Sequence, residues 1–259
     1  MLLRPTGPAR AAVPAQAGGP AEAAGPGAPP GSASPVPPPA LSDAVLLAHD
    51  EDGRRWPILV WVPGPGTRMV SSAVLGGGIG ERAWVVNAQV PPGYARLDPV
   101  AHLRTLAEGA GLDGPGVGLM TAAPVADRRC AADGGVEAVV TAGIGVRGWA
   151  AVPEDGAGTV GPPRPGTVNI IVSLPVPLTD AALVNAVATA TEAKVQALVE
   201  LGADASGTPT DAVCVACPAA DGTPPEPFAG PRSLWGARLA RAVHAATRAA
   251  CAEALTRGD

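Results

Sequence analysis

Between residues 44 and 90 the chain lays down four short β-rich runs before its first helix, and that order limits the folds open to it. The runs cover residues 44–48, 57–62, 69–75 and 83–90. Gly, Pro and charged residues separate them, as they separate strands. Residues 99–110 then read as a helix stopped by Gly111. Residues 117–122 and 136–141 have the pattern of buried strands, and 167–174 is the strongest strand in the chain. A helix follows, running from an N-cap at Thr179 to a stop at Gly202. A strand over 210–216 comes next, and then a long C-terminal helix that opens at Gly230-Pro231. That helix puts Leu234, Leu239, Val243, Ala246 and Ala250 on one face. Strands first, then strands and helices mixed, predict an α+β fold with a mainly antiparallel β-sheet and packed helices.

Residues 1–40 stand apart, with eleven Pro, eleven Ala and six Gly. Such a stretch buries too little apolar surface to offset its ordering entropy. It is expected to be a disordered tail, lacking the apolar core of a secretory signal. Residues 41–259 are expected to form a single globular domain. No run of 18 apolar residues is present, so no membrane span is expected. A net charge of −5, with no basic cluster, argues against nucleic acid as a partner.

Lys194 is the only lysine, against seventeen arginines. In the helix after Thr179 it falls in the apolar stripe Leu183, Val187, Ala190, Leu198 and Leu201, spaced i, i+3, i+4, i+7. Glu192 falls on the opposite, polar face with Asn185 and Gln196. A buried lysine can give up its proton and act as a base, which arginine cannot. It can equally snorkel to the surface or form a structural ion pair.

Four cysteines and three histidines bound the metal chemistry. Cys214 and Cys217 have CxxC spacing, but on a strand they would point to opposite faces and could not chelate together. His49, His102 and His244 are scattered, which gives thin support for a metal site or a Ser-His-Asp triad. No metal is expected. Gly76-Gly-Gly-Ile-Gly80 lacks the following helix of a phosphate loop and reads as a hairpin turn.

The remaining polar residues gather in a few strings. Arg68 and Ser71-Ser72 precede the glycine turn. Asn87 lies in an apolar strand, with Tyr94 following, and Asn169 lies in another. Ser206-Gly-Thr-Pro-Thr-Asp211 opens the strand after the lysine helix. A buried Asn must be hydrogen-bonded, either to a loop it caps or to a ligand.

Taken in order, these strings resemble the adenosylcobinamide amidohydrolases of corrinoid salvage, from about residue 55 to 250. The resemblance rests on Arg68-Met-Val-Ser-Ser-Ala-Val-Leu-Gly-Gly-Gly78, Val86-Asn87 through Asp98-Pro99, and Val117-Gly-Leu-Met-Thr-Ala-Ala123. It continues with Val139-Val-Thr-Ala-Gly143, Gly166-Thr-Val-Asn-Ile-Ile171 and Thr191-Glu-Ala-Lys-Val-Gln-Ala-Leu198. It closes with Gly207-Thr-Pro-Thr-Asp211 and Phe228-Ala-Gly230. Two places depart from the family pattern: Pro209 between the threonines, and Pro231-Arg232-Ser233 after Gly230.

The resemblance implies hydrolysis of the amide between the aminopropanol arm and the corrin ring of adenosylcobinamide. The products would be adenosylcobyric acid and 1-amino-2-propanol. The partner is then a small-molecule corrinoid, the cobalt belongs to the substrate, and no further cofactor is expected. A binding protein without catalysis, or an amidase acting on another cobamide such as pseudo-coenzyme B12, fits the same residues. A cytoplasmic location is expected, and the oligomeric state is not legible.

Two catalytic arrangements are open. In the first, Lys194 is the base for Thr208, Thr210, Ser71, Ser72 or a water, while Asn87 and Asn169 bind the oxyanion or the corrin amides. Lys194→Arg would then fold but lose turnover. In the second, Lys194 pairs with Asp211 as architecture and Glu192 activates water. Arg68 is a further substrate-binding candidate.

Overall fold

The computed structural model describes residues 40–151 and 166–258. Residues 1–39 of the expected 1–40 tail lie outside the described residues. Ten strands and three α-helices form two sheets with helices on their outer faces.

The first sheet has the order β1-β2-β5-β6: β1 (Val45–Glu51), β2 (Arg54–Trp61), β5 (Trp84–Gln89) and β6 (Gly116–Thr121). The second has the order β4-β3-β10-β9-β8-β7. Its strands are β3 (Thr67–Ser71), β4 (Gly78–Glu81), β7 (Arg129–Asp133), β8 (Val136–Ile144), β9 (Gly166–Ser173) and β10 (Ala212–Pro218). Only β5–β6 and β9–β10 pair in parallel; the other ladders are antiparallel. The fold is therefore α+β and mainly antiparallel, as the order of runs predicts, but with two sheets in place of one. Each parallel pair is joined through a helix, because parallel neighbours need a long crossover. That helix is α1 (Pro99–Gly109) for β5 and β6, and α2 (Asp180–Glu200) for β9 and β10.

Period-two alternation assigns the layers. In β2, Leu59 and Trp61 face the second sheet, while Ile58 and Val60 meet Leu103 and Ala107 of α1. In β9, Ile171 faces the first sheet, and Val168, Ile170 and Val172 join the core under α2 and α3 (Leu234–Arg257). The same parity sends Asn87, Thr141 and Asn169 into the layer between the sheets. Cys214 faces that inner layer and Cys217 the helices, so the CxxC spacing does place its thiols on opposite faces.

The helix ends follow their local chemistry. Thr179 Oγ1 accepts from Ala182 N at 3.1 Å, capping α2. Helix α3 begins after Ser233, whose Oγ accepts from Gly236 N at 3.1 Å; Gly230-Pro231 belongs to the approach. Part of the glycine string proves to be strand: β4 pairs with β3, and residues 72–77 make the hairpin connection. Gly76 has φ +72°, and a Cβ there would lie 2.0 Å from the Gly116 carbonyl oxygen. Strand β7, unread in the sequence, pairs with β8 and packs on α3.

Candidate active site

Apart from Arg68 and Glu192, the sequence-predicted residues converge on one end of β9 and β10, but on two faces of the sheet. On the helix side Lys194, only 7% exposed, donates from Nζ to Asp211 Oδ2 at 2.5 Å. Asp211 Oδ2 also accepts from Thr208 N at 3.2 Å. Its Oδ1 accepts from Val168 N at 2.8 Å and from the Thr208 hydroxyl. The four acceptor positions of the carboxylate are thus filled. Gly207 closes over the pair, since a Cβ there would fall 2.5 Å from both Lys194 Nζ and Asp211 Oδ2. Nearby in α3, burial pushes the Cys251 thiol up to about 12, with Asp211 adding to the shift.

Between the sheets the polar residues form a chain. Asn169 Nδ2 donates to Asn87 Oδ1 at 2.9 Å and to the Met120 carbonyl at 3.1 Å. Asn87 Nδ2 donates to Thr141 Oγ1 at 3.0 Å. Because both partners of Asn169 Nδ2 are acceptors, the amide orientation is fixed. Asn169 Oδ1 is left as a buried acceptor without a hydrogen bond. Beside it Thr167 Oγ1 and Thr210 Oγ1 stand 2.5 Å apart, and Thr210 Oγ1 donates to the Gly166 carbonyl at 2.9 Å.

A cleft of about 640 Å³ opens over this face, lined by Ser72, Tyr94, Met120, Asn169, Thr210 and Asp211 among others. Val74 and Val146, both substantially exposed, give it an apolar rim. A second cleft, of about 490 Å³, lies near Arg82, Trp84 and Arg104 and touches none of the sequence-predicted residues.

The other candidates have clear positions. Ser71 Oγ donates to the Val213 carbonyl at 2.9 Å and accepts from Ala73 N at 3.0 Å, stitching β3 to β10. Ser72 Oγ accepts from Val213 N at 3.0 Å, leaving its own proton to donate into the cleft. Arg68 binds Asp180 and, at 3.5 Å, the Leu178 carbonyl, so it pins the start of α2. Glu192 lies on the exposed face of α2, and neither it nor Lys194 lines the cleft. Pro209 stands at the corner of the Thr208–Asp211 turn, where its fixed φ suits the geometry.

Comparison with known proteins decides the family. The family model described as adenosylcobinamide amidohydrolase matches residues 43–259. The chain belongs to the adenosylcobinamide amidohydrolase family. Relatives of that name occur in Methanosarcina mazei and Halobacterium salinarum. The first is 32% identical over 66% of this chain and 84% of its own length. The second is 34% identical over 71% and 80%. The PH0078 protein from Pyrococcus horikoshii has a solved structure that aligns with 82% of this chain and 83% of its own. Its TM-score is 0.39 at 12% identity, too loose a likeness to carry an argument. Membership makes the chain an amidohydrolase by family, as the quoted strings imply.

The sequence passed over a second cluster beside the cleft. Tyr94 lines the cleft, and its hydroxyl lies 2.9 Å from His102 Nδ1. His102 Nε2 lies 2.9 Å from Glu51 Oε2. Burial holds the Tyr94 phenol above its usual range and the His102 imidazole below its own. His49 joins them, its ring 6.2 Å from that of His102. Two of the three histidines scattered in the sequence are therefore neighbours. The available signal was His49-Asp-Glu51, two residues that share one face of a strand.

Proposed function

We propose that the chain hydrolyses adenosylcobinamide at the amide joining its aminopropanol arm to the corrin ring, releasing adenosylcobyric acid and 1-amino-2-propanol for cobamide salvage. Water supplies hydroxide to the ring-side carbonyl carbon and a proton to the departing amine as the C–N bond breaks. Family membership supports the substrate. The observation that carries the site is the buried, unpaired Oδ1 of Asn169, a residue that lines the cleft.

A buried acceptor without a partner costs stability on the order of 1–3 kcal/mol unless a water or a ligand satisfies it. Asn169 Oδ1 accepts a hydrogen bond from the N–H of the substrate amide or from the attacking water. Ser72, with a hydroxyl proton to give, donates to the developing oxyanion. Thr210, fixed by Thr167 and Gly166, positions the water, while Val74 and Val146 receive the apolar edge of the corrin. Asn87 acts through Asn169 by holding its orientation.

Lys194 and Thr208 lie behind this surface and, with Asp211 at its edge, hold the loop that carries Thr210. Every acceptor position of Asp211 is filled, and its contact with Lys194 ties the loop to α2, which reads as architecture. Glu192, on the solvent face, takes no part. The cobalt arrives with the substrate. No helix among the described residues is long and apolar enough to cross a membrane. We place the reaction in the cytoplasm, in keeping with four free cysteines.

The test is incubation of the purified chain with adenosylcobinamide, with corrinoids followed by liquid chromatography and mass spectrometry. Adenosylcobyric acid and 1-amino-2-propanol in equal amounts are expected. Corrinoid retained without conversion, or conversion of another cobamide alone, overturns the reading.

A further inference from the structure

We propose that His49, Glu51 and His102 form a binding site for one divalent ion of the zinc class, beside the cleft behind Tyr94 and independent of the amide chemistry. One ligand atom from each residue lies within 4.8 Å of the other two. His49 and Glu51 share a face of the edge strand β1, and His102 sits in the first turn of α1. The cluster thus joins an edge strand to the helix that covers its sheet.

The hydrogen bonding leaves lone pairs where a cation would sit. His49 Nε2 lies 2.8 Å from the Gln89 carbonyl, which can only accept, so Nε2 carries the proton. His49 Nδ1 is then a bare acceptor, and it is buried without a hydrogen bond. Glu51 Oε2 is likewise buried without a hydrogen bond, although it stands 2.9 Å from His102 Nε2. That approach is close but misaligned for an N–H donor. On the far side of the ring, Nδ1 meets the Tyr94 hydroxyl at 2.9 Å. A ring nitrogen bound to a backbone carbonyl or another oxygen is how a metal-ligating histidine is held in its tautomer. Gln89 and Tyr94 supply those two partners.

The spacing suits such an ion. Ligand atoms about 2.0–2.2 Å from a tetrahedral ion stand roughly 3.4 Å apart. The cluster brackets that value, with one pair at 2.9 Å and the rest within 4.8 Å. Arg96 approaches Glu51 from the other side, 3.9 Å from Oε1, and leaves Oε2 to the histidines. Two imidazoles and a carboxylate are a donor set for zinc and its neighbours in the first transition series, not for magnesium or calcium. Three protein ligands leave one position open.

The test uses the untagged full chain, stripped with a chelator, dialysed, and titrated with Zn²⁺ and separately with Co²⁺. One Zn²⁺ per chain is expected by elemental analysis, along with visible d–d absorption for Co²⁺. His49→Ala and His102→Ala, each checked for folding by circular dichroism, are expected to weaken binding by at least about tenfold. His244→Ala, outside the cluster, leaves binding unchanged. If His49→Ala fails to fold, His49→Gln keeps a side chain of similar reach and serves instead. No stoichiometric binding by the wild type overturns the proposal, as does unchanged binding in a folded His49 or His102 variant. These readouts do not depend on turnover, so they stand whatever the substrate assay gives.

Discussion

The two faces of the sheet at the start of β9 and β10 carry similar numbers of polar residues and treat them in opposite ways. On the helix side, the Asp211 carboxylate has its four acceptor positions filled by Lys194, Thr208 and Val168. On the inner side, the Thr141–Asn87–Asn169 chain ends in an acceptor with nothing to accept. A saturated buried charge holds a loop in one place. An unsaturated buried acceptor beside a cleft is a place for a ligand. Rarity of residue type picked out the first face, and the state of hydrogen bonding picks out the second.

The largest expected effect breaks the saturated face. Lys194→Met leaves Asp211 charged, buried and without its ammonium, and is expected to cost about 3–5 kcal/mol. Urea unfolding measures it. Adding Asp211→Asn should recover part of the loss, since a neutral amide needs no counter-ion. A Lys194→Met protein as stable as the wild type would show that the pair does not hold the loop.

Much of the fold was legible because alternation and punctuation are local. The edges of β2, β8, β9 and α2 fall within a few residues of their sequence limits. The second sheet was not legible. Whether strands in one chain join one sheet or two depends on pairings such as β3 with β10, across about 140 residues. Strand β4 was hidden by its glycines, and β7 by its mixture of Arg, Cys, Ala and Asp. Among the candidates, Asn169 was singled out by its apolar strand, and Thr210 by its place in the Ser206–Asp211 string after the lysine helix. Lys194 was found as well, but its periodicity shows only that it points inward, not which face of the sheet it meets. His49 and His102 were missed because four strands, β2 to β5, lie between them in the sequence.

A smaller effect sharpens the inner face. Thr210→Val keeps the side-chain shape and removes the hydroxyl tied to Thr167 and Gly166. About 1 kcal/mol of stability should go. Turnover of adenosylcobinamide should fall roughly tenfold, as the water loses its positioning group. Steady-state kinetics beside a melting curve separate the two; unchanged turnover would remove Thr210 from the site.

The smallest effect is expected at Glu192. Glu192→Gln should leave turnover unchanged and stability within about 0.5 kcal/mol, as for an exposed helical position away from partners. A folded but inactive Glu192→Gln protein would move the base to the solvent face of α2 and reverse the comparison.

The most direct measurement is the turnover of adenosylcobinamide by Asn169→Ala, with its thermal midpoint recorded on the same preparation. A folded protein whose kcat/KM has dropped by about 100-fold or more is the expected result, the size seen when one preorganised polar group is removed from an active site. A folded Asn169→Ala protein that turns over like the wild type would contradict the assignment of the chemistry to the layer between the sheets.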